Sequence, residues 1–344
     1  MTDSAPKQPN DSVLAPGERP TLKTLAKLTG LAVATVSRAL HDAPDIGSDT
    51  KKRVQEMAEK IGYRPNRAGV RLRTGKTNVI SLILATNHDM TNHHTGLLIS
   101  SIAAGLRNSP YHLIVTPHFP SEDPMIPVRY VVETQSADAV ILNQTEPDDP
   151  RIAYLLEKQF PFATHGRSGW CEHHAYYDFD NCRLGEIAIE KLAARGRKSV
   201  LVVAPPLFQN YGQDLLQGTT RQARISGIRA TTLVGATNDS PDHDLETAFC
   251  QHMQNNPDVD AVVCVSTATA MCVVAAAEDM NLEIGKDIDV FSKEGKPFLT
   301  KFRKTILTVN EDVTTAGNFL ARAIMERIAD PSKPPMQGLE TPTL

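Results

Sequence analysis

Residues 63–78 read YRPNRAGVRLRTGKTN, and they bring Arg64, Arg67, Arg71, Arg73 and Lys76 close together around one isolated apolar residue, Leu72. Guanidinium and ammonium groups at this density suit phosphate oxygens. A leucine between two arginines is costly in free solution and useful only where a partner takes it out of water. Pro65–Asn66 ends one element and caps another, and Gly75 sits where a helix stops, so about seven residues lie between them. A helix that short does not hold itself together in water. Gly69 weakens it by a further ~1 kcal/mol. The segment is therefore expected to stay disordered until a partner completes it.

The charge distribution points to the same kind of partner. Residues 20–76 contain twelve Lys or Arg against five Asp or Glu, a balance of +7, whereas residues 77–344 carry −10. A basic head on an acidic body suits an anionic polymer. His88, His93, His94, Cys171, His173 and His174 are metal-ligating residue types, but they follow no recognised metal-site spacing and read as surface or pocket imidazoles, so no metal is expected. Five scattered cysteines, at 171, 182, 250, 264 and 272, read as reduced thiols rather than a disulfide framework. There is no Gly-rich phosphate loop, no G-x-S-x-G elbow and no HExxH string, so neither an enzyme nor a cofactor is expected.

The elements that must carry these groups change in texture along the chain. Residues 1–19, rich in Pro, Ser, Asp and Asn, read as a disordered tail without the apolar segment of a signal peptide. Thr21 caps a helix carrying Leu22, Leu25, Ala26 and Leu28, which Gly30 closes. Val33, Val36 and Leu40 mark a second helix after a tight turn. Val54, Met57, Ala58 and Ile61 mark a third, stopped by Gly62. This is a helix-turn-helix pattern. Beyond residue 78, short apolar runs (79–85, 112–116, 139–142, 199–204, 260–265, 288–291 and 306–309) alternate with helical stretches, the signature of parallel sheets covered on both faces. Such a length divides into two lobes, with a ligand at the carboxyl ends of the strands. No apolar run nears the ~20 residues of a membrane helix.

The string TLKTLAKLTGLAVATVSRALHDAPDIGSDTKKRVQEMAEKIGYRPNRAGVRLRTGKTN (21–78) resembles the head of the lactose-repressor (LacI-type) family of bacterial transcription regulators. It combines TLK-x-x-AK-x-x-G, ATVSRAL, GYRPN and LRTGKTN in the family's order. The body resembles the family's core more loosely, with a DN pair at Asp180–Asn181 and TV-x-x-D at 308–312. The resemblance implies an α/β protein with an all-α helix-turn-helix head, a short hinge helix, and a two-lobed, periplasmic-binding-protein-like core of parallel α/β sheets. The expected domains are a tail (1–19), a DNA-binding head (20–64), a hinge helix or linker (65–77) and an effector-binding, dimerising core (78–344). Lobe 1 is expected over about 78–178 and 296–326, and lobe 2 over about 179–295 and 327–344. Family members commonly run on through a last strand near the terminal ETPTL, so a short C-terminus is expected.

By the same resemblance the second helix enters the major groove of double-stranded DNA. Val33 and Ala34 fall at the base-reading pair, where they can touch only thymine methyls or shape. Thr35, Ser37 and Arg38 follow, with Thr21, Asn66, Arg67 and Arg71 at further contact positions. Leu72 occupies the family's minor-groove wedge. Ala32 stands where a capping Ser is usual, a loss of about 1 kcal/mol.

The effector pocket departs most from the family. Its NPFF string becomes Asn92–His93–His94–Thr95. Its IDR string becomes His165–Gly166–Arg167, and its ND string becomes Ser266–Thr267. Its clamp arginine becomes Leu215, three residues before Gly218. Tyr211, Lys293 and Glu311 complete the expected pocket. Two carboxylates thus look lost and donors gained, which suits a sugar acid or sugar phosphate; a neutral sugar held by other residues stays open beside it. The implied protein is a cytoplasmic, nucleoid-associated homodimeric repressor of carbohydrate genes, bound to a pseudo-palindromic operator and controlled by a small sugar-like effector, without membrane contact. The rival readings are a solute-binding protein of similar core, which has no use for residues 21–76, and a regulator that answers to a protein partner.

Overall fold

The computed structural model describes residues 19–64, 69, 71, 75–85 and 93–343. The chain divides into two compact units, residues 1–77 and 78–344. In the first, α1 (Leu22–Thr29), α2 (Val33–Leu40) and α3 (Ser48–Lys60) enclose a small core of Leu25, Ala26, Val36, Ala39, Val54 and Ala58. The 3.6-residue period of the apolar positions places those pairs on the inner faces. Thr21 and Thr24 form a reciprocal capping box at the start of α1, each side chain accepting from the other's backbone N–H at 3.2 Å. Gly30, at φ 66°, ends that helix. Ala32 begins α2 without any side-chain cap.

In the second unit, a six-stranded sheet is built from β1 (Val79–Ala85), β2 (His112–His118), β3 (Ala139–Asn143), β4 (Phe162–His165), β5 (Ala175–Phe179) and β11 (Gln337–Glu340), in the order β11-β5-β4-β3-β1-β2. Both faces are covered, which explains the almost continuous apolar run of β1, broken only by the buried Ser81, whose hydroxyl pairs with Thr116 of β2 at 2.7 Å. Ile80, Leu82 and Leu84 pack with α4 (His93–Gly105) and α12 (Val313–Ala329). Val79 and Ile83 pack with α5 (Met125–Thr134) and α6 (Pro150–Glu157) on the opposite face. A five-stranded sheet of β6 (Ser199–Val202), β7 (Arg229–Thr232), β8 (Ala261–Cys264), β9 (Asp289–Glu294) and β10 (Leu307–Asn310) has the order β10-β9-β8-β6-β7. One of its faces is covered by α7 (Asn181–Ala194) and α8 (Asn210–Ser226), the other by α9 (Asp242–Asn255), α10 (Thr267–Asp279) and Leu299 of the short α11 (Leu299–Phe302). Every strand pairing is parallel.

The lobe boundaries differ from the sequence expectation. β10 pairs with β9, Leu307 opposite Phe291, and belongs to the second sheet. β11 pairs with β5, Gln337 opposite Tyr176, and belongs to the first. The chain therefore returns to the first lobe after Asn310 rather than near 296, and the described residues beyond 327 stay there. Strands of four residues such as LTVN and QGLE carry too little pattern to show which sheet they join. Among the described residues no helix is long and apolar enough to cross a membrane, and all five cysteines are free thiols.

Candidate functional site

The head presents its candidate contacts on the start of α2. Val33 is 41% exposed, which removes it from the core. Ala34 and Arg38 are exposed, and Thr35 and Ser37 are half-buried. Arg38 pairs with the exposed Asp45, a neighbour that sequence reasoning missed. Thr21 is exposed and also serves α1 as its cap. Arg71 is exposed, and its carbonyl accepts from the Gly75 N–H at 2.8 Å. Asn66, Arg67 and Leu72 lie outside the described residues, and so does Asn92 of the expected pocket.

In the second unit the strands' carboxyl ends open into a cleft of about 1250 Å³, counted with its solvent-filled mouth. The cleft brings together His94, Thr95, His165, Arg167, Tyr211, Thr267, Lys293 and Glu311. His94 and Thr95 come from the first turns of α4, His165 from the end of β4, Lys293 from the end of β9, and Glu311 directly follows β10. Tyr211 and Thr267 open α8 and α10.

Two charge clusters occupy it. Arg167 donates from Nε to Asp178 Oδ2 at 2.6 Å and from Nη2 to Asp214 Oδ2 at 3.1 Å, tying the end of β5 to α8 across the cleft. Burial pushes the Asp178 carboxyl up to about 6 against the pull of Arg167. Burial also raises Asp214, again opposed by Arg167. In the other cluster, Lys293 Nζ lies 2.6 Å from Glu311 Oε2, while Nε2 of His94 and of His165 lie 3.2 and 3.7 Å from Glu311 Oε1. Burial alone would raise the Glu311 carboxyl. Lys293, then the two histidines, outweigh it and hold the group well below its ordinary range. Burial pushes the His165 imidazole down to about 4, so it is neutral at physiological pH.

The premise of a carboxylate-poor pocket fails. Asp178 and Asp239 line the cleft, together with Glu294 and Glu311. Asp239 Oδ2 accepts from the amides of Gln144 and Gln209, each at 3.3 Å, and has no cation among these partners. Asn143, Asn181, Asn210 and Asn238 add amides to the wall. Sequence reasoning missed these acids because Asp178 lies one residue before the end of a strand, AYYDF, that reads as no apolar run, and Asp239 lies in the loop beyond another overlooked strand, RATT. The one available signal was the DN pair two residues beyond Asp178. Leu215 is fully buried in the core and does not line the cleft. Gly218 is required there, since a Cβ would stand 1.8 Å from the Cys182 carbonyl oxygen, and this fixes α8 hard against α7. Gly166 has φ +114°, and a Cβ on it would meet Thr145 Oγ1 at 2.7 Å. An aspartate does not fit that backbone.

Residues 21–66 match the family model of bacterial regulatory proteins of the lacI family, and residues 189–344 match that of a periplasmic binding protein-like domain. The HTH-type transcriptional regulator AglR of Rhizobium meliloti (strain 1021) is 28% identical over 323 residues, 92% of this chain and 90% of that protein. A structure of the transcriptional regulator CelR in complex with cellobiose superposes with a TM-score of 0.70 at 21% identity, over 94% of this chain and 98% of that one. The lac repressor dimer bound to operator and the anti-inducer ONPF gives a TM-score of 0.80 at 17% identity, over 95% and 97%. A helix-turn-helix head followed by a two-lobed core with a polar cleft defines a DNA-binding transcriptional regulator. The chain belongs to the LacI family of bacterial regulatory proteins.

Proposed function

We propose that this regulator is a repressor of carbohydrate uptake or catabolism genes, acting in the bacterial cytoplasm on nucleoid DNA, and that its cleft takes a neutral, hydroxyl-rich effector. The observation that carries the effector class is the internal matching of charge. Arg167 already meets Asp178 and Asp214, Lys293 already meets Glu311, and Asp239 rests on amides. An anionic ligand would add charge to a cleft whose cations are spoken for. Sugar hydroxyls instead donate to carboxylates and accept from amides without a net electrostatic cost. The CelR structure holds cellobiose, which places a neutral disaccharide among the ligands to try first. The hydrophilic lining also weighs against a protein partner as the signal.

On the DNA side, a homodimer would set two copies of α2 in adjacent major grooves of a pseudo-palindromic operator. Val33 and Ala34 would lie against base edges, Thr35, Ser37, Thr21, Asn66, Arg67 and Arg71 against phosphates, Arg38 against a guanine or a phosphate, and Leu72 in the minor groove. Effector binding would change the lobe arrangement and, through it, the spacing of the two heads. Turnover forms no part of this reading.

Titration calorimetry over neutral sugars, sugar acids and sugar phosphates tests the effector class. Binding of a neutral sugar is expected, and tight binding of a sugar acid with no response to any neutral sugar overturns the reading. Arg167→Ala is expected to abolish the effector response while leaving operator binding intact. For the DNA side, Leu72→Ala is expected to weaken operator binding and spare non-specific binding; equal losses in both remove the wedge.

A further inference from the structure

The floor of the cleft holds a donor set that sugar recognition does not require. One ligand atom from each of His94, His165 and Glu311, which come from three separate stretches of the chain, lies within 4.8 Å of the other two. The two imidazole rings are 5.6 Å apart at 38°. Both ring nitrogens converge on one carboxylate oxygen, and the 3.7 Å separation of His165 is too long for a hydrogen bond. An ion bound at about 2.0–2.2 Å to each of three ligands holds those ligands roughly 3.0–3.6 Å apart. The separations of 3.2 and 3.7 Å to Glu311 Oε1 are close to that arrangement.

We propose that His94, His165 and Glu311 form a binding site for a divalent transition-metal ion, zinc before others, with at least one coordination position open to the cleft. The ligand chemistry sets the class. Two imidazoles and one carboxylate suit zinc, nickel or iron(II). Magnesium and calcium take oxygen-only shells, and no thiolate is present to favour copper(I). Lys293 Nζ lies 2.6 Å from the other oxygen of Glu311, an ion pair that leaves Oε1 to face the two imidazoles. Its ammonium charge also opposes a cation, which sets an upper limit on affinity. The carboxylate is only 3% exposed, the His165 side chain 13% and the His94 side chain 29%, so the pair is enclosed on one side and reachable from the cleft on the other. The site stands whichever effector the cleft takes.

Equilibrium dialysis of the full-length protein against zinc alone, and visible absorption with cobalt(II) as probe, test this without any sugar. Wild type is expected to hold about one ion per chain at this site, and the ion is expected to raise the melting temperature by linkage. His94→Ala and His165→Ala are expected to lose more than about 100-fold in affinity and the cobalt bands with it. His173→Ala, outside the triad, is expected to leave both unchanged. If His165→Ala fails to fold by circular dichroism, the more exposed His94→Ala decides. No zinc uptake by wild type at micromolar ion, or uptake that survives His94→Ala, overturns the proposal.

Discussion

The head and the cleft use charge in opposite ways. Residues 20–76 carry an excess of +7, and Arg38 is exposed and paired with an exposed aspartate. In the cleft, each of two cations has its own carboxylate partners within 3.1 Å. Cation excess at a surface is suited to a polyanion that brings its own counter-charge and releases small ions on binding. Charge matched inside a cleft is suited to a ligand that brings none. The difference teaches that one chain can hold two recognition chemistries because each unit settles its electrostatics separately.

Salt tests that contrast with the largest effect. Raising salt from about 50 to 200 mM is expected to lower operator affinity on the order of 10³-fold, as for a dimer making several phosphate contacts, while effector affinity barely moves. Fluorescence anisotropy and calorimetry on the same preparation read the two; equal salt slopes break the comparison. Next is a pH effect. The folded Asp178 carboxyl keeps its proton up to about pH 6, whereas the ordinary value is 3.8. The folded state thus binds more protons in that window, so stability contributed by this group falls as pH rises through it, by at most about 3 kcal/mol. Asp178→Asn is expected to flatten that slope in urea titrations between pH 4 and pH 7; an unchanged slope assigns the proton elsewhere. Arg38→Ala is expected to cost ~1–3 kcal/mol at the operator if the side chain reads a base. A loss uniform across unrelated sequences makes it a phosphate contact and sharpens the picture of a head driven by charge. The smallest effect concerns Ala32, which caps nothing. Ala32→Ser is expected to stabilise the head by about 1 kcal/mol in thermal unfolding.

Much of the head was legible because its order is local. Val36 and Ala39 on α2, and Val54 and Ala58 on α3, recur at helical spacing, and Thr21 and Gly30 mark the ends of α1 by their own chemistry. The central strands were legible for a related reason, since burial on both faces makes VISLILA and AVVC almost wholly apolar; the one hydroxyl, Ser81, is buried and pairs with Thr116 at 2.7 Å. The short strands towards the sheet margins were not. FATH, AYYDF, RATT and QGLE carry hydroxyls, acids or a glycine because one side or one end meets water or the cleft. That blind spot fell on the candidate site. A carboxylate such as Asp178 sits at the cleft because it lies near the carboxyl end of a strand, and the feature that makes it useful also hides the strand. The proximity of His94, His165 and Glu311 depends on sheet order, which spacing along the chain does not encode.

Position 166 shows how a backbone can lock a residue choice in place. Thr145, whose hydroxyl donates to the Arg167 carbonyl at 2.6 Å, fills the room that any side chain at 166 would need. Placing an acid there is therefore not one step but an ordered series: first a smaller neighbour at 145, then a flipped peptide, and only then the new residue. A designer who tries the last step alone will score a misfolded protein and mistake it for a lesson about specificity. Retuning this regulator is better begun at Asp239, whose backbone makes no such demand.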